Sequence, residues 1–220
     1  MSYSSLIFYL DGTLLDTIDD IGTAANTVLQ ELGHPSHPLP AYQGFVGSGV
    51  AVLFQRALPG DNPNPNEVDD CVARFQRAYA SCWNRASKPY DKILEVLIQL
   101  SMSRYRLAIL SNKPDAFTKK CVSHYFSSCH FDPVLGQRPN VARKPDPQAV
   151  WEIMQCHQSS AEQTIFVGDS EIDVQTAQNA GIFSVGVAWG YRGSDVLVAQ
   201  GVDLIVEHPS ELLAFLDGRM

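Results

Sequence analysis

Cationic side chains are scarce: 16 Lys and Arg stand against 24 Asp and Glu, the formal net charge is −8, and nowhere do the cations cluster. That removes the electrostatic footprint by which a protein holds nucleic acid or an acidic membrane surface. Paired cysteines are missing too. The five, Cys71, Cys82, Cys121, Cys129 and Cys156, are odd in number and none is spaced Cys-x-x-Cys. Neither a disulfide framework nor a thiolate metal site is expected, and a reducing cytoplasm suits such cysteines better than secretion. No apolar run reaches the roughly 18 residues of a membrane span, and the opening Met-Ser-Tyr-Ser-Ser has no basic segment, so a signal peptide is not expected either. Repeats and low-complexity tracts are lacking apart from the Pro/Asn-rich loop from Pro59 to Asn66.

What is present is enough for a large core, with 45% hydrophobic residues over 220 positions. That length holds one large domain or a domain with a smaller one inserted. The apolar run Leu6 to Leu10 is too short for a helix and ends on Asp11-Gly12, which reads as a buried strand. Ile18, Ile21, Ala25, Val28, Leu29 and Leu32 then recur at helical spacing, with Asp16 or Thr17 as cap and Gly33 as stop. Loops and at most a short helix follow from His34 to Gly49. Val50 to Leu58 and Val68 to Cys82 carry two further helical faces.

From Pro89 onward helices alternate with strands. Strands are expected at Arg106 to Leu110, near Pro133 to Gly136, and at Thr164 to Val167, Phe183 to Val187 and Asp203 to Val206. Helices are expected around Ile93 to Leu100, Phe117 to Tyr125, Pro147 to His157, Ile172 to Ala180 and Pro209 to Leu216. Such alternation implies right-handed crossovers and a parallel sheet covered on both faces. The first strand must join that sheet, because alone it could satisfy neither its backbone nor its apolar faces. The expected fold is therefore an α/β core, residues 1–16 and 87–220, with an all-helical block, residues 17–86, inserted into it.

Four stretches at expected strand ends carry polar groups suited to chemistry. Tyr9-Leu10-Asp11-Gly12-Thr13 ends the first strand. Ser111-Asn112 offers a hydroxyl and an amide that can bind phosphate oxygens, although alone the pair is ordinary turn chemistry. Lys144 is held between residues of Arg143-Lys144-Pro145-Asp146-Pro147, where an isolated surface lysine is the plainer reading. Gly168-Asp169-Ser170-Glu171-Ile172-Asp173 sets two carboxylates at a strand end and a first helical turn. Either could be a cap, and together they suit Mg²⁺, which prefers oxygen ligands and keeps part of its hydration shell.

In this order, the four stretches resemble the motifs of the haloacid dehalogenase superfamily. The resemblance implies a Rossmann-like, doubly wound parallel sheet, a helical cap domain over residues 17–86, Mg²⁺ as cofactor and a small phosphorylated metabolite as substrate. It implies Asp11 as general acid and base, Ser111 and Lys144 as holders of the phosphoryl group, and Asp11, Asp169 and Asp173 around the metal, with Asp173 near or behind it. Gly12, Thr13 and Asn112 would bind substrate from the core, and Gly47, Ser48 and Gly49 from the cap. Gly47-Ser48-Gly49 is equally well a helix-initiating turn. That segment and Trp189-Gly190-Tyr191 look like members near phosphoglycolate phosphatase. A sugar-phosphate mutase would share every core motif, and a monomer or a homodimer would suit the scaffold.

Position 9 departs from the pattern. The family's motif is Asp-x-Asp-Gly-Thr with its first Asp as nucleophile, and here that position is Tyr9. A phenol has a pKa near 10, presents one oxygen instead of two, and brings a ring into space shaped for a carboxylate and a phosphate. Metal affinity and turnover are both expected to fall, turnover by roughly a million-fold if the loss resembles that of other covalent nucleophiles. Either a phosphatase has been silenced at one residue, or the chain is a non-enzymatic binder of phosphorylated ligands.

Overall fold

The computed structural model describes residues 3–218. The chain forms two compact units, one of residues 1–15 with 89–220 and the other of residues 16–88. The sequence pattern placed those breaks at 16/17 and 86/87.

The first unit is built on a strand, β1 (Ser5–Phe8), whose four residues are all buried. It lies between β4 (Arg106–Pro114) and β6 (Thr164–Gly168), parallel to both, with Ile7 opposite Ala108 on one side and Phe166 on the other. β5 (Val134–Gln137) lies outside β4, and β7 (Phe183–Val187) and β8 (Leu204–Val206) continue beyond β6. The spatial order is β5-β4-β1-β6-β7-β8. Chain progression reverses at β1, so the cleft outside its C-terminal end is the switch point where ligands bind in open α/β sheets.

Helices α5 (Ile93–Ser101), α6 (Asp115–Tyr125), α7 (Gln148–His157), α8 (Glu171–Ala180), α9 (Ser194–Ala199) and α10 (Pro209–Leu216) complete this unit. Of these the short α9 was not expected, because six residues after Gly193 show too little periodicity. β4 runs four residues past its expected end at Leu110. Its polar Ser111-Asn112-Lys113 reads as a turn in sequence, yet all three are buried and Pro114 pairs with Gln137 of β5.

The second unit holds α1 (Ile18–Glu31), a 3₁₀ turn at Leu39–Ala41, α2 (Tyr42–Phe45), α3 (Val50–Ala57) and α4 (Pro65–Ala80). Ile21, Ala25, Val28 and Leu29 of α1 and Val68, Cys71, Phe75 and Tyr79 of α4 are buried. Neither expected cap accepts a good bond from the start of α1: the Thr17 side chain makes no capping bond, and Ile18 N–H reaches Asp16 Oδ1 only at 3.5 Å. Buried Asp20 closes the unit, accepting from Ala86 N–H, Ser87 N–H and Ser87 Oγ, at 2.7 Å for the last. The two connections pair as a ribbon, β2 (Leu15–Asp16) with β3 (Lys88–Pro89). Gly47 and Gly49, at φ +112° and +93°, make the turn that starts α3. Among the described residues no helix is long and apolar enough to cross a membrane.

At the N-terminal edge of the sheet, His157 binds across two connections. Its Nε2 faces the Asp132 carbonyl at 2.7 Å and therefore carries the proton, leaving Nδ1 to accept from Ser5 Oγ at 2.7 Å. Burial holds its pKa below the ordinary value. A depressed histidine gives stability that is complete above its unfolded pKa of about 6.5 and is lost as pH falls through the folded value. Thermal melts of the native chain and His157→Gln should converge as pH drops from about 7 to 5; a constant gap would contradict this assignment.

Candidate active site

Side chains alternate along a strand, so Tyr9, just past β1, shares the face of Ile7. Its ring joins the apolar cluster of Ile7, Ala108, Leu110, Val150 and Phe166 and is 5% exposed. Burial first, then the charges of Asp11, Asp169 and Asp173, hold the phenol well above its ordinary pKa. At neutral pH it is an O–H donor and not an anion.

The Lys144 ammonium lies 3.6 Å from the centre of the Tyr9 ring and 5.2 Å from that of Phe166. On its other side it donates to Asp173 Oδ1 at 2.5 Å. Burial pulls the Lys144 pKa down, against the pull of Asp173, Asp169 and Asp11. Asn112 fixes the lysine's main chain from both ends of its amide, accepting from Lys144 N–H at 2.9 Å and donating to Lys144 C=O at 3.2 Å. The structure thus engages Asn112 in positioning Lys144.

Asp11 and Asp173 are each committed to a lysine. Lys113, which follows the Ser111-Asn112 pair, donates to Asp11 Oδ1 at 2.8 Å, with both side chains almost fully buried. Ser111 Oγ accepts from Lys113 N–H at 3.1 Å, leaving its own proton to donate. Asp173 Oδ2 caps α8, accepting from Ser170 Oγ at 2.7 Å and from the N–H groups of Ser170 and Asp169. The capping box that starts this helix also aims Asp173 Oδ1 at Lys144.

Asp169 differs in being held by neutral donors: it accepts from Thr13 Oγ1 at 2.9 Å and from Tyr191 N–H at 3.0 Å. Burial and the Asp173 charge push its pKa up to about 7, against those two bonds and Lys144. The carboxylate is seated by two glycines. A Cβ on Gly12, at φ +87°, would stand 2.4 Å from Asp169 Oδ2, and one on Gly190 would stand 2.1 Å from Asp169 Cβ. Trp189 Nε1 donates to Thr13 C=O at 3.0 Å, holding the first loop against this seat. Gly12 N–H is spent on Leu15 C=O, so Gly12 and Thr13 frame Asp169.

Tyr9, Asp11, Gly12, Thr13, Ser111, Asn112, Lys144, Asp169 and Asp173 all lie in the α/β unit at the C-terminal ends of its strands or the loops after them; Gly47, Ser48 and Gly49 belong to the helical unit. Sequence reasoning missed Lys113 and the structural need for Gly190. A lysine directly after Ser-Asn at the end of an apolar strand was the available signal for the first.

The donor set does not suit a resident Mg²⁺. Tyr9 offers a protonated phenol where the resemblance expects a carboxylate, Asp173 has both oxygens occupied, and Lys113 holds Asp11. Among the described residues no three carboxylate, imidazole or thiol groups converge in a metal-holding arrangement, whereas Mg²⁺ demands near-octahedral oxygen ligation.

Residues 6–187 match the model of the haloacid dehalogenase-like hydrolase family. Phosphoglycolate phosphatase of Vibrio parahaemolyticus is 32% identical over 213 residues, 94% of this chain and 93% of that protein. That of Pseudomonas putida is 33% identical over 218 residues, covering 97% and 78%. Among solved structures, a Lactobacillus delbrueckii protein with phosphoglycolate phosphatase as its proposed activity superimposes at TM-score 0.92 with 30% identity, covering 98% of this chain and 99% of that one. A haloacid dehalogenase-like hydrolase from Streptococcus pneumoniae gives 0.84 at 27%, covering 97% and 98%. The chain belongs to the haloacid dehalogenase-like hydrolase family.

The raised pKa of Asp169 has a measurable cost. A carboxyl whose folded pKa is raised weakens the fold as pH climbs from its unfolded value of about 4 through the folded one. In metal-free buffer, Asp169→Asn should gain on the native chain by roughly 2 kcal/mol between about pH 5 and 8, whatever fixed offset the lost Tyr191 bond adds. Denaturant unfolding at both pH values checks this, and a gap that does not change would show that Asp169 ionises normally.

Proposed function

We propose that this chain is a phosphatase of phosphoglycolate phosphatase type that recognises a small phosphorylated metabolite and whose turnover is silenced at position 9. One observation carries the reading: the residue standing where the family pattern has its nucleophile is a buried phenol under the Lys144 ammonium, with a raised pKa. Phosphoryl transfer needs an anionic oxygen to attack phosphorus, with donors to hold the charge on its equatorial oxygens. The donors are present in Ser111, Lys144 and Lys113, and the attacking anion is not.

Asp11, held by Lys113 at Oδ1, is the acid and base of the reaction the scaffold was built for. Mg²⁺ would neutralise phosphate charge in a form with a carboxylate at position 9. The helical unit is the cap that selects the substrate, with Gly47, Ser48 and Gly49 as its contact loop. The related phosphatases support a phosphomonoester ligand, and the net charge of −8 argues against nucleic acid. A cytoplasmic monomer or homodimer completes the reading.

A second reading, a non-catalytic binder of phosphorylated ligands, is favoured by the two buried lysines left in the cleft. Phosphate release from 2-phosphoglycolate with Mg²⁺ separates the two. The native chain should be silent and Tyr9→Asp should raise kcat by at least about 10⁴-fold, given the size of nucleophile effects in covalent catalysis. Turnover by the native chain would refute the account of Tyr9, and silence in a folded Tyr9→Asp would leave only the binder.

A further inference from the structure

The cleft of the α/β unit holds three carboxylates, Asp11, Asp169 and Asp173, and two buried ammonium groups, Lys113 and Lys144. A carboxylate at position 9 would raise the anions to four. Bringing a phosphate dianion into four buried carboxylates against two lysines calls for a divalent cation, because buried like charges repel strongly. With Tyr9 the excess of anions over cations is one, and the substituted group is itself a hydrogen-bond donor. The charge the metal would have to offset has fallen together with the ligands that would hold it.

Resting on the reading that this cleft binds a phosphorylated metabolite, we propose that the chain holds the phosphate of its ligand without a divalent metal, through Lys113, Lys144 and the Ser111 hydroxyl. Each donor is held by its neighbours in the fold. Lys144 is clamped by Asn112, held by Asp173 and backed by two aromatic faces. Lys113 extends from the same strand end as Ser111 and is held by Asp11. An ammonium carries three donor protons, so each lysine can keep its carboxylate and still donate to a phosphate oxygen. Pre-positioned cations avoid the ordering cost that exposed lysines would incur on binding.

Calorimetric titration of the native chain with inorganic phosphate and with 2-phosphoglycolate, in EDTA and in excess Mg²⁺, tests this. The native Kd should agree within about threefold between the two buffers, while Tyr9→Asp should bind inorganic phosphate at least about tenfold more weakly in EDTA and recover with Mg²⁺. Lys113→Met should weaken native binding in EDTA by about tenfold or more, and Lys113→Arg, which keeps the charge, should recover part of it and guards against a folding defect. Binding by the native chain only with Mg²⁺ would overturn the inference and leave the proposed function standing. No binding by the native chain alongside restored turnover in Tyr9→Asp would also overturn it, marking the cleft as silenced and empty. No binding and no turnover in either protein would take down the functional reading as well.

Discussion

The cleft depends on where the Lys144 ammonium can rest. It is buried, and a buried cation needs an anion or a π-face at close range to persist. Asp173 supplies the anion at 2.5 Å and Tyr9 the π-face at 3.6 Å. A cation over an aromatic ring is worth about 2 kcal/mol or more when desolvated, while breaking a buried ion pair costs about 3–5 kcal/mol. Asp173 is therefore the stronger anchor and the ring the weaker, so the lysine remains ordered with no carboxylate at position 9.

Around that contact, each remaining carboxylate has a distinct task set by its partners. Asp173 spends one oxygen on the start of α8 and the other on Lys144. Asp11 is held by Lys113. Asp169 keeps hydroxyl and amide partners and sits on the bare backbone of Gly12 and Gly190, and burial together with the Asp173 charge lifts its pKa to about 7 against those two bonds. A phenol at position 9 leaves these three assignments intact, because none of the bonds that define them runs through that position. The charge architecture thus does not depend on a carboxylate there.

The sheet was legible because its strands are short apolar runs between helices of 3.6-residue periodicity, and the motifs at their ends fixed which loops converge. Three features were not legible, each for a physical reason. Ser111-Asn112-Lys113 reads as a polar turn, and only the ladder to β5 shows that the strand continues through it. Lys113 reads as a solvated cation until Asp11, about a hundred residues away in sequence, is folded against it. Gly190 reads as one of many loop glycines, whereas the Asp169 side chain fills the space where its Cβ would be. In all three the deciding contact is long-range, and only for Lys113 does the local pattern, a lysine straight after Ser-Asn at a strand end, carry a trace of it.

The central claim is that position 9 provides a neutral donor and never an attacking anion. Difference ultraviolet titration of the native chain against Tyr9→Phe isolates this phenol from the other seven tyrosines, since the chain has eight in all. The account predicts no phenolate signal from Tyr9 up to about pH 10, the ordinary tyrosine pKa, and its appearance only above that or on unfolding. A Tyr9 phenolate forming near neutral pH would contradict the account and restore position 9 as a nucleophile.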